Sequence, residues 1–255
     1  MESDHNIVII TGGSAGIGLA LAERFLNNDN EVIIVGRRKE KLEEAKSKFP
    51  RLHTRVCDVS QEKERLDLFE WVKTNFPKLN MLINNAGIQQ RSNLMQEGDN
   101  WKKFDKEISI NVDGPIHLSM LFAPFLANQP NPAIINVSSG LALTPGAWVP
   151  VYSATKAALH SFTVSLRLQL AETGIHVAEI LPPAVNTDLG GTGLHTFGAP
   201  LQDFADSVFA RLLKGDVEIG YGDSEARLHA SMDEIRTRTE KAWSNFQTNN
   251  PDFLD

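Results

Sequence analysis

Short apolar runs alternate with longer stretches of helical period along this chain, an alternation that predicts a parallel sheet covered by helices on both faces. Runs rich in β-branched residues predict seven strands, over Ile7–Ile10, Glu31–Val35, Leu52–Val56, Met81–Asn84, Ala133–Val137, His176–Leu181 and Val217–Ile219. Between the first two, Ile17, Leu19, Ala20, Leu21, Ala22, Phe25 and Leu26 recur on one helical face, which polar Asn27–Asn30 ends. Lys39–Lys48, Gln61–Phe76 and Tyr152–Glu172 predict further helices. Trp101–Leu126 predicts another that breaks near Asp113-Gly114-Pro115, and 224–247 a C-terminal one. Asn186–Pro200 departs from the pattern, with four glycines and a proline among Leu189, Leu194 and Phe197, and is expected to be a mobile loop over a substrate. No linker or repeat interrupts the rest, so residues 1–255 are expected to form a single doubly wound α/β domain.

Composition removes several functions. With 42% apolar and 22% charged residues the 255-residue chain can bury a full core, and its net charge of −7 makes nucleic acid a poor partner. The single cysteine, Cys57, excludes an internal disulfide and thiolate-rich zinc sites, and reads as a small buried residue in a cytoplasmic protein. Acids in Met1–Asn6 do not resemble the start of a signal peptide, and no apolar run approaches the roughly eighteen residues of a membrane span. The seven histidines show no metal-ligand spacing: His117 and His160 read as packing or surface residues, and His195, in the irregular loop, as a possible substrate contact.

Thr11-Gly12-Gly13-Ser14-Ala15-Gly16-Ile17-Gly18 follows the first strand and opens into a helix. Glycines allow a sharp turn and close backbone approach, and free N–H groups at a helix start favour a pyrophosphate, which makes Gly12, Ser14, Gly16, Ile17 and Gly18 candidate dinucleotide contacts. The spacing is neither GxGxxG nor a nucleoside-triphosphate loop, and a tight turn without a ligand is the plainer reading. At the end of the second strand, where an acid would bond the 2′-hydroxyl of NAD, stand Arg37 and Arg38. Two guanidiniums suit a 2′-phosphate and predict NADP(H) over NAD(H), against a solvated charge run that continues through Lys39, Glu40 and Lys41. Asp58-Val59 and Asn84-Asn85-Ala86-Gly87 close the third and fourth strands; Asp58 reads as an adenine contact or as a helix cap.

Together these motifs resemble the short-chain dehydrogenase/reductase family over nearly the whole chain. Thr11–Gly18 matches its TGxxxGxG loop, Asn84–Gly87 its NNAG, Asn111 its helix asparagine, Ser139 its serine, and Tyr152 with Lys156 its YxxxK pair. Within the family, Gly12–Gly18 and Val151–Phe162 are similar to a branch encoded with the lipoteichoic-acid D-alanylation genes of Gram-positive bacteria. The resemblance implies a Rossmann-type fold with Ser139, Tyr152, Lys156 and Asn111 at the catalytic centre, and Asn85, Ala86, Gly87, Val185 and Thr187 against the cofactor.

The residues themselves support that chemistry. Tyr152 and Lys156 share a helix face, and a cation beside a phenol lowers its pKa toward that of a general acid/base. Ser139 ends the fifth strand and would hold the substrate oxygen, with Ser138 its competitor; no Gly-x-Ser-x-Gly elbow marks a hydrolase. Asn111 is expected to support Lys156 through water, as the resemblance implies. Pro183 stands where the family has glycine and removes an N–H near the carboxamide. Leu141, Leu143, Trp148, Val149 and Leu189 predict a mostly nonpolar pocket for a small-molecule carbonyl or alcohol. The family further implies a homodimer or homotetramer built on the helices over 113–126 and 152–172. Two other functions share these motifs: a dinucleotide-sensing protein without catalysis, and an epimerase or dehydratase that retains NAD.

Overall fold

The computed structural model describes residues 2–254. Its sheet holds seven parallel strands in the order β3-β2-β1-β4-β5-β6-β7: β1 Ile7–Thr11, β2 Glu31–Gly36, β3 His53–Val56, β4 Met81–Asn84, β5 Ala133–Val137, β6 His176–Ile180 and β7 Glu218–Ile219. Successive residues of a strand face opposite sides, and the core divides accordingly. Val8 and Ile10 pack under α1 (Gly16–Asn27), α2 (Lys39–Lys48) and α7 (Leu201–Lys214), where Phe25, Leu42 and Phe204 are buried. Ile9 and Ile33 pack under α3 (Glu62–Asn75), α5 (Gly114–Leu126) and α6 (Pro150–Gln169), against Leu68, Phe122 and Leu166. This is the doubly wound α/β fold expected. Strand order reverses between β1 and β4, which opens a crevice at their carboxyl ends.

Four departures from the expected elements have local causes. Leu52 is buried but its N–H turns back to the Phe49 carbonyl at 3.0 Å, so β3 starts one residue later. The broken helix is α4 (Trp101–Ile108), a π-helical turn over Ser109–Asp113, and α5. Pro115 has no N–H for the Asn111 carbonyl; the ladder widens there, with the Gly114 N–H reaching Ser109. The helix α7 was not singled out from sequence, although Phe204, Ala205, Val208, Phe209 and Leu212 form a helical stripe that Gly215 ends at φ +85°. The C-terminal helix is two, α8 (Asp223–Leu228) and α9 (Met232–Asn249), the second opened by a Ser231–Glu234 capping box.

Candidate active site

At the crevice, Thr11 ties the ends of β1 and β4 together. Its hydroxyl accepts the N–H groups of Asn85 and Ala86 at 3.0 and 3.1 Å, and the Asn85 amide donates to the Thr11 and Gly12 carbonyls at 2.9 and 3.2 Å. Gly12 turns the chain at φ +66°, and a Cβ there would stand 2.8 Å from Ala86 Cα. Gly18 is required for packing: a Cβ would lie 2.4 Å from Asn85 Nδ2, and the residue sits behind the crevice wall. The start of α1 has no acidic residue in its first turn and no side-chain cap, which leaves its N–H groups and positive end for an anion.

One cleft of about 1930 Å³ runs from this loop across the strand ends, larger than an ordinary ligand pocket and able to take a dinucleotide with a second molecule. Ser14, Gly16, Ile17, Arg37, Arg38, Asp58, Val59, Asn85, Ala86 and Gly87 line one part, and Ser139, Tyr152, Lys156, Val185 and Thr187 the other. Arg37 and Arg38 are exposed, and among the described residues neither side chain forms a hydrogen bond or ion pair. Two exposed guanidiniums held in no ion pair and a glycine cradle fit a dinucleotide with an extra phosphate. Asp58 is not the helix cap, since the N-cap of α3 is Gln61 without a side-chain bond; its carboxylate accepts from Ser60 N–H at 3.0 Å and Oγ at 2.8 Å in the turn ahead of α3, and the residue lines the cleft. Burial opposes its ionisation, but the Ser60 bonds and the charge of Arg37 outweigh that and hold the carboxyl below its usual range.

Across the switch point, α6 carries Tyr152 and Lys156 one turn apart, both buried. Ser139, extended at the end of β5, takes the Leu141 N–H at 3.1 Å, and its side chain lies near enough to the Tyr152 phenol to favour its ionised form. Ser138 also borders the cleft, but its hydroxyl is committed to the buried Glu179 carboxylate of β6, whereas Ser139 acts on the Tyr152 phenol. His160 takes the other oxygen of Glu179 at 2.8 Å, and His117 accepts from Arg65 at 2.9 Å, so both histidines pack. Lys156 Nζ donates to the Val137 carbonyl at 2.9 Å and lies 5.6 Å from the Tyr152 ring centroid.

That placement corrects the expected electrostatics. Burial pushes the Tyr152 hydroxyl above its ordinary value, the Ser139 side chain opposes this, and Glu107 adds to it. Burial also brings Lys156 down to about 8, with Glu179 and Glu107 opposing. Desolvation therefore outweighs the influence of the pair on itself, and Tyr152 is a protonated phenol at neutral pH. Asn111 is fully buried behind this wall: its amide exchanges two 2.9 Å bonds with the Ile88 backbone and donates to Thr155 at 3.1 Å. A Cβ at Gly87 would meet Asn111 Oδ1 at 3.3 Å and Lys156 Nζ at 3.5 Å, so the asparagine and lysine come together at that glycine.

The outer end of the cleft differs most from expectation. Leu141, Trp148 and Leu189 line it, whereas Val149 is in the core and Leu143 is not part of the wall. The segment 186–200 contains no helix, and its ends are pinned by a bridge between Val185 and Ala199. The helix α9 forms a roof: Phe246 stacks on Trp148 at 4.9 Å and on Trp243 at 5.8 Å, and polar Thr237, Arg238, Lys241 and Asn245 face the cleft. The sequence points to Trp148 at the pocket and leaves open a C-terminal helix that packs on a partner or caps the pocket, but it does not single out the individual α9 residues, Arg91 or Glu107; no local pattern joins α9 to a wall so distant in the chain. No helix among the described residues is long and apolar enough to cross a membrane.

The short chain dehydrogenase family model matches residues 6–195. The uncharacterized oxidoreductase DltE of Bacillus subtilis is 45% identical over 224 residues, covering 86% of this chain and 89% of that protein. Among solved structures, a short chain dehydrogenase from Burkholderia cenocepacia in complex with NADP superposes with a TM-score of 0.81 at 24% identity, covering 94% of this chain and 99% of that one. A 3-ketoacyl-(acyl-carrier-protein) reductase from Brucella melitensis complexed with NADH gives 0.77 at 26% identity, with 86% and 97% covered.

Proposed function

The chain belongs to the short-chain dehydrogenase family, and we propose that it is an NADP(H)-dependent oxidoreductase that interconverts a carbonyl and a secondary alcohol. The observation that carries this reading is that Ser139, Tyr152 and Lys156 line one cleft, which continues to the glycine loop and to the exposed Arg37 and Arg38. Gly12, Ser14, Gly16 and Ile17 with the α1 N-terminus would hold the pyrophosphate, Arg37 and Arg38 the 2′-phosphate, and Asp58 and Val59 the adenine side. Asn85, Ala86, Gly87, Val185 and Thr187 would hold the nicotinamide half, with Gly18 supporting the loop by packing. When bound, the cofactor supplies or accepts the hydride.

The chain's own residues govern the oxygen of the substrate. Ser139 donates a hydrogen bond to it and fixes its position, and Tyr152, kept protonated by burial, gives it a proton in the direction of reduction. Lys156 anchors the ribose side and supplies positive charge beneath the phenol; Asn111 positions Lys156 and the Ile88 backbone. The segment 186–200 and α9 exclude water. The protein acts as a single catalytic domain in the cytoplasm, as a homodimer or homotetramer through α5 and α6, whose exposed Met120 and Leu168 offer apolar contact. Tyr152→Phe tests the reading: NADPH oxidation over a carbonyl panel should fall by about 10²–10⁴-fold with NADPH affinity retained. Substantial residual turnover overturns the assignment.

A further inference from the structure

Two side chains at the outer end of the cleft have no part in the hydride chemistry. His195 lines it with both ring nitrogens shielded from solvent and bonded to no side chain among the described residues, the Leu189 backbone being their polar neighbour. Burial and the charge of Arg91 hold its pKa below the ordinary range, against the neighbouring Leu189 carbonyl, so the ring is neutral and carries one N–H to give. Arg91 follows the end of β4, is exposed, and has no carboxylate partner among the described residues, whereas Arg227 and Arg238 in the same wall are both committed to Asp223. Its guanidinium lies 5.6 Å from the Phe246 ring centroid. Stacking occupies the face of a guanidinium and leaves its edge, a fork of N–H donors, free. Among the described residues no side chain answers that fork or the imidazole, and both residues line a cleft that ends at Tyr152.

We propose that the substrate is an oxo acid, or the matching hydroxy acid, whose carboxylate is held by the Arg91 fork and the His195 N–H while its carbonyl lies at Ser139 and Tyr152. A planar anion with two oxygens matches one guanidinium edge and one further donor. Leu141, Trp148 and Leu189 line the cleft with these groups, so an apolar chain joins the two ends of the substrate. This inference rests on the reading of Tyr152 as the carbonyl end, and adds the residues that choose the substrate.

The test uses the full chain with NADPH and pairs of carbonyl compounds that differ only in charge: 5-oxohexanoate and 7-oxooctanoate against their methyl esters. The wild-type protein should favour an acid over its ester in kcat/KM. Arg91→Met, which keeps the apolar stem on Phe246, should lower the acid-to-ester ratio by about 30-fold, Arg91→Lys should restore part of it, and His195→Phe should lower it by about fivefold. Equal losses on acid and ester, as from a merely loosened α9, overturn the proposal, as does a wild-type preference for the esters. Binding of 7-oxooctanoate to the Tyr152→Phe protein with NADPH, followed by tryptophan fluorescence, separates the two readings. Weaker binding in the added Arg91→Met background supports the carboxylate site even where the wild type turns nothing over, a result that removes only the oxidoreductase reading. Binding indifferent to Arg91 overturns the carboxylate site whatever the turnover.

Discussion

Glu107 offers a quantitative test of the buried electrostatics. It stands on α4 with no solvent exposure; one carboxylate oxygen accepts the Gln90 N–H at 3.1 Å, and the other has no partner among the described residues. Burial pushes its pKa from 4.5 to about 7, against the Gln90 bond and the charges of Lys103 and Lys156. A carboxyl with a raised pKa holds its proton more tightly folded than unfolded. Its contribution to stability is complete below about pH 4.5 and is lost as pH rises through about 7. The full shift corresponds to about 3 kcal/mol, of which about 2 kcal/mol falls between about pH 5.5 and pH 8.5. Glu107→Gln keeps an acceptor for Gln90 and cannot ionise. Urea unfolding of both proteins at these two pH values, at fixed protein concentration, should therefore show the difference between them moving by about 2 kcal/mol in favour of the variant at the higher pH. His160, His176 and His195 titrate in both proteins and cancel in that difference. Parallel pH slopes refute the reasoning. Since the charge on Glu107 raises both Tyr152 and Lys156, the same substitution should also shift the pH–activity profile downward.

Other consequences can be checked separately. Replacing Arg37 and Arg38 by Ala should weaken NADPH binding by about 10- to 100-fold and NADH binding little; equal loss in both titrations contradicts the 2′-phosphate role. Gly18→Ala places a Cβ 2.4 Å from Asn85 Nδ2 and 2.6 Å from the Gly12 carbonyl. It should cost about 1–3 kcal/mol and loosen NADPH, and an unchanged unfolding midpoint with unchanged affinity refutes the packing role. Burial, with the charges of Glu64 and Asp58, pushes the Cys57 thiol up to about 12. A disulfide reagent should label it only as fast as the fold opens, and rapid stoichiometric labelling of the native protein contradicts this.

Much of the cofactor half was readable along the chain because its determinants are local. The β-branched runs, the turn from Thr11 to Gly18 and the Tyr152–Lys156 spacing act over a few residues, and hydrophobic period translates directly into which face is buried. Even the break near Pro115 follows from one missing N–H. The helix α7 was readable in the same way from Phe204 to Leu212, with Gly215 as its stop.

What required the tertiary structure were quantities summed over segments far apart. The sequence by itself determined that a phenol, a lysine and a serine occur at the spacing of an acid/base set. The fold decided that burial, with Glu107 packed nearby, raises the phenol instead of the lysine lowering it. It committed the Ser138 hydroxyl to the distant Glu179, and brought Phe246 of α9 over Trp148 and beneath Arg91. The physical reason is that desolvation and stacking depend on everything that surrounds a group. A motif specifies which groups are available, and only packing specifies what water and which charges they keep.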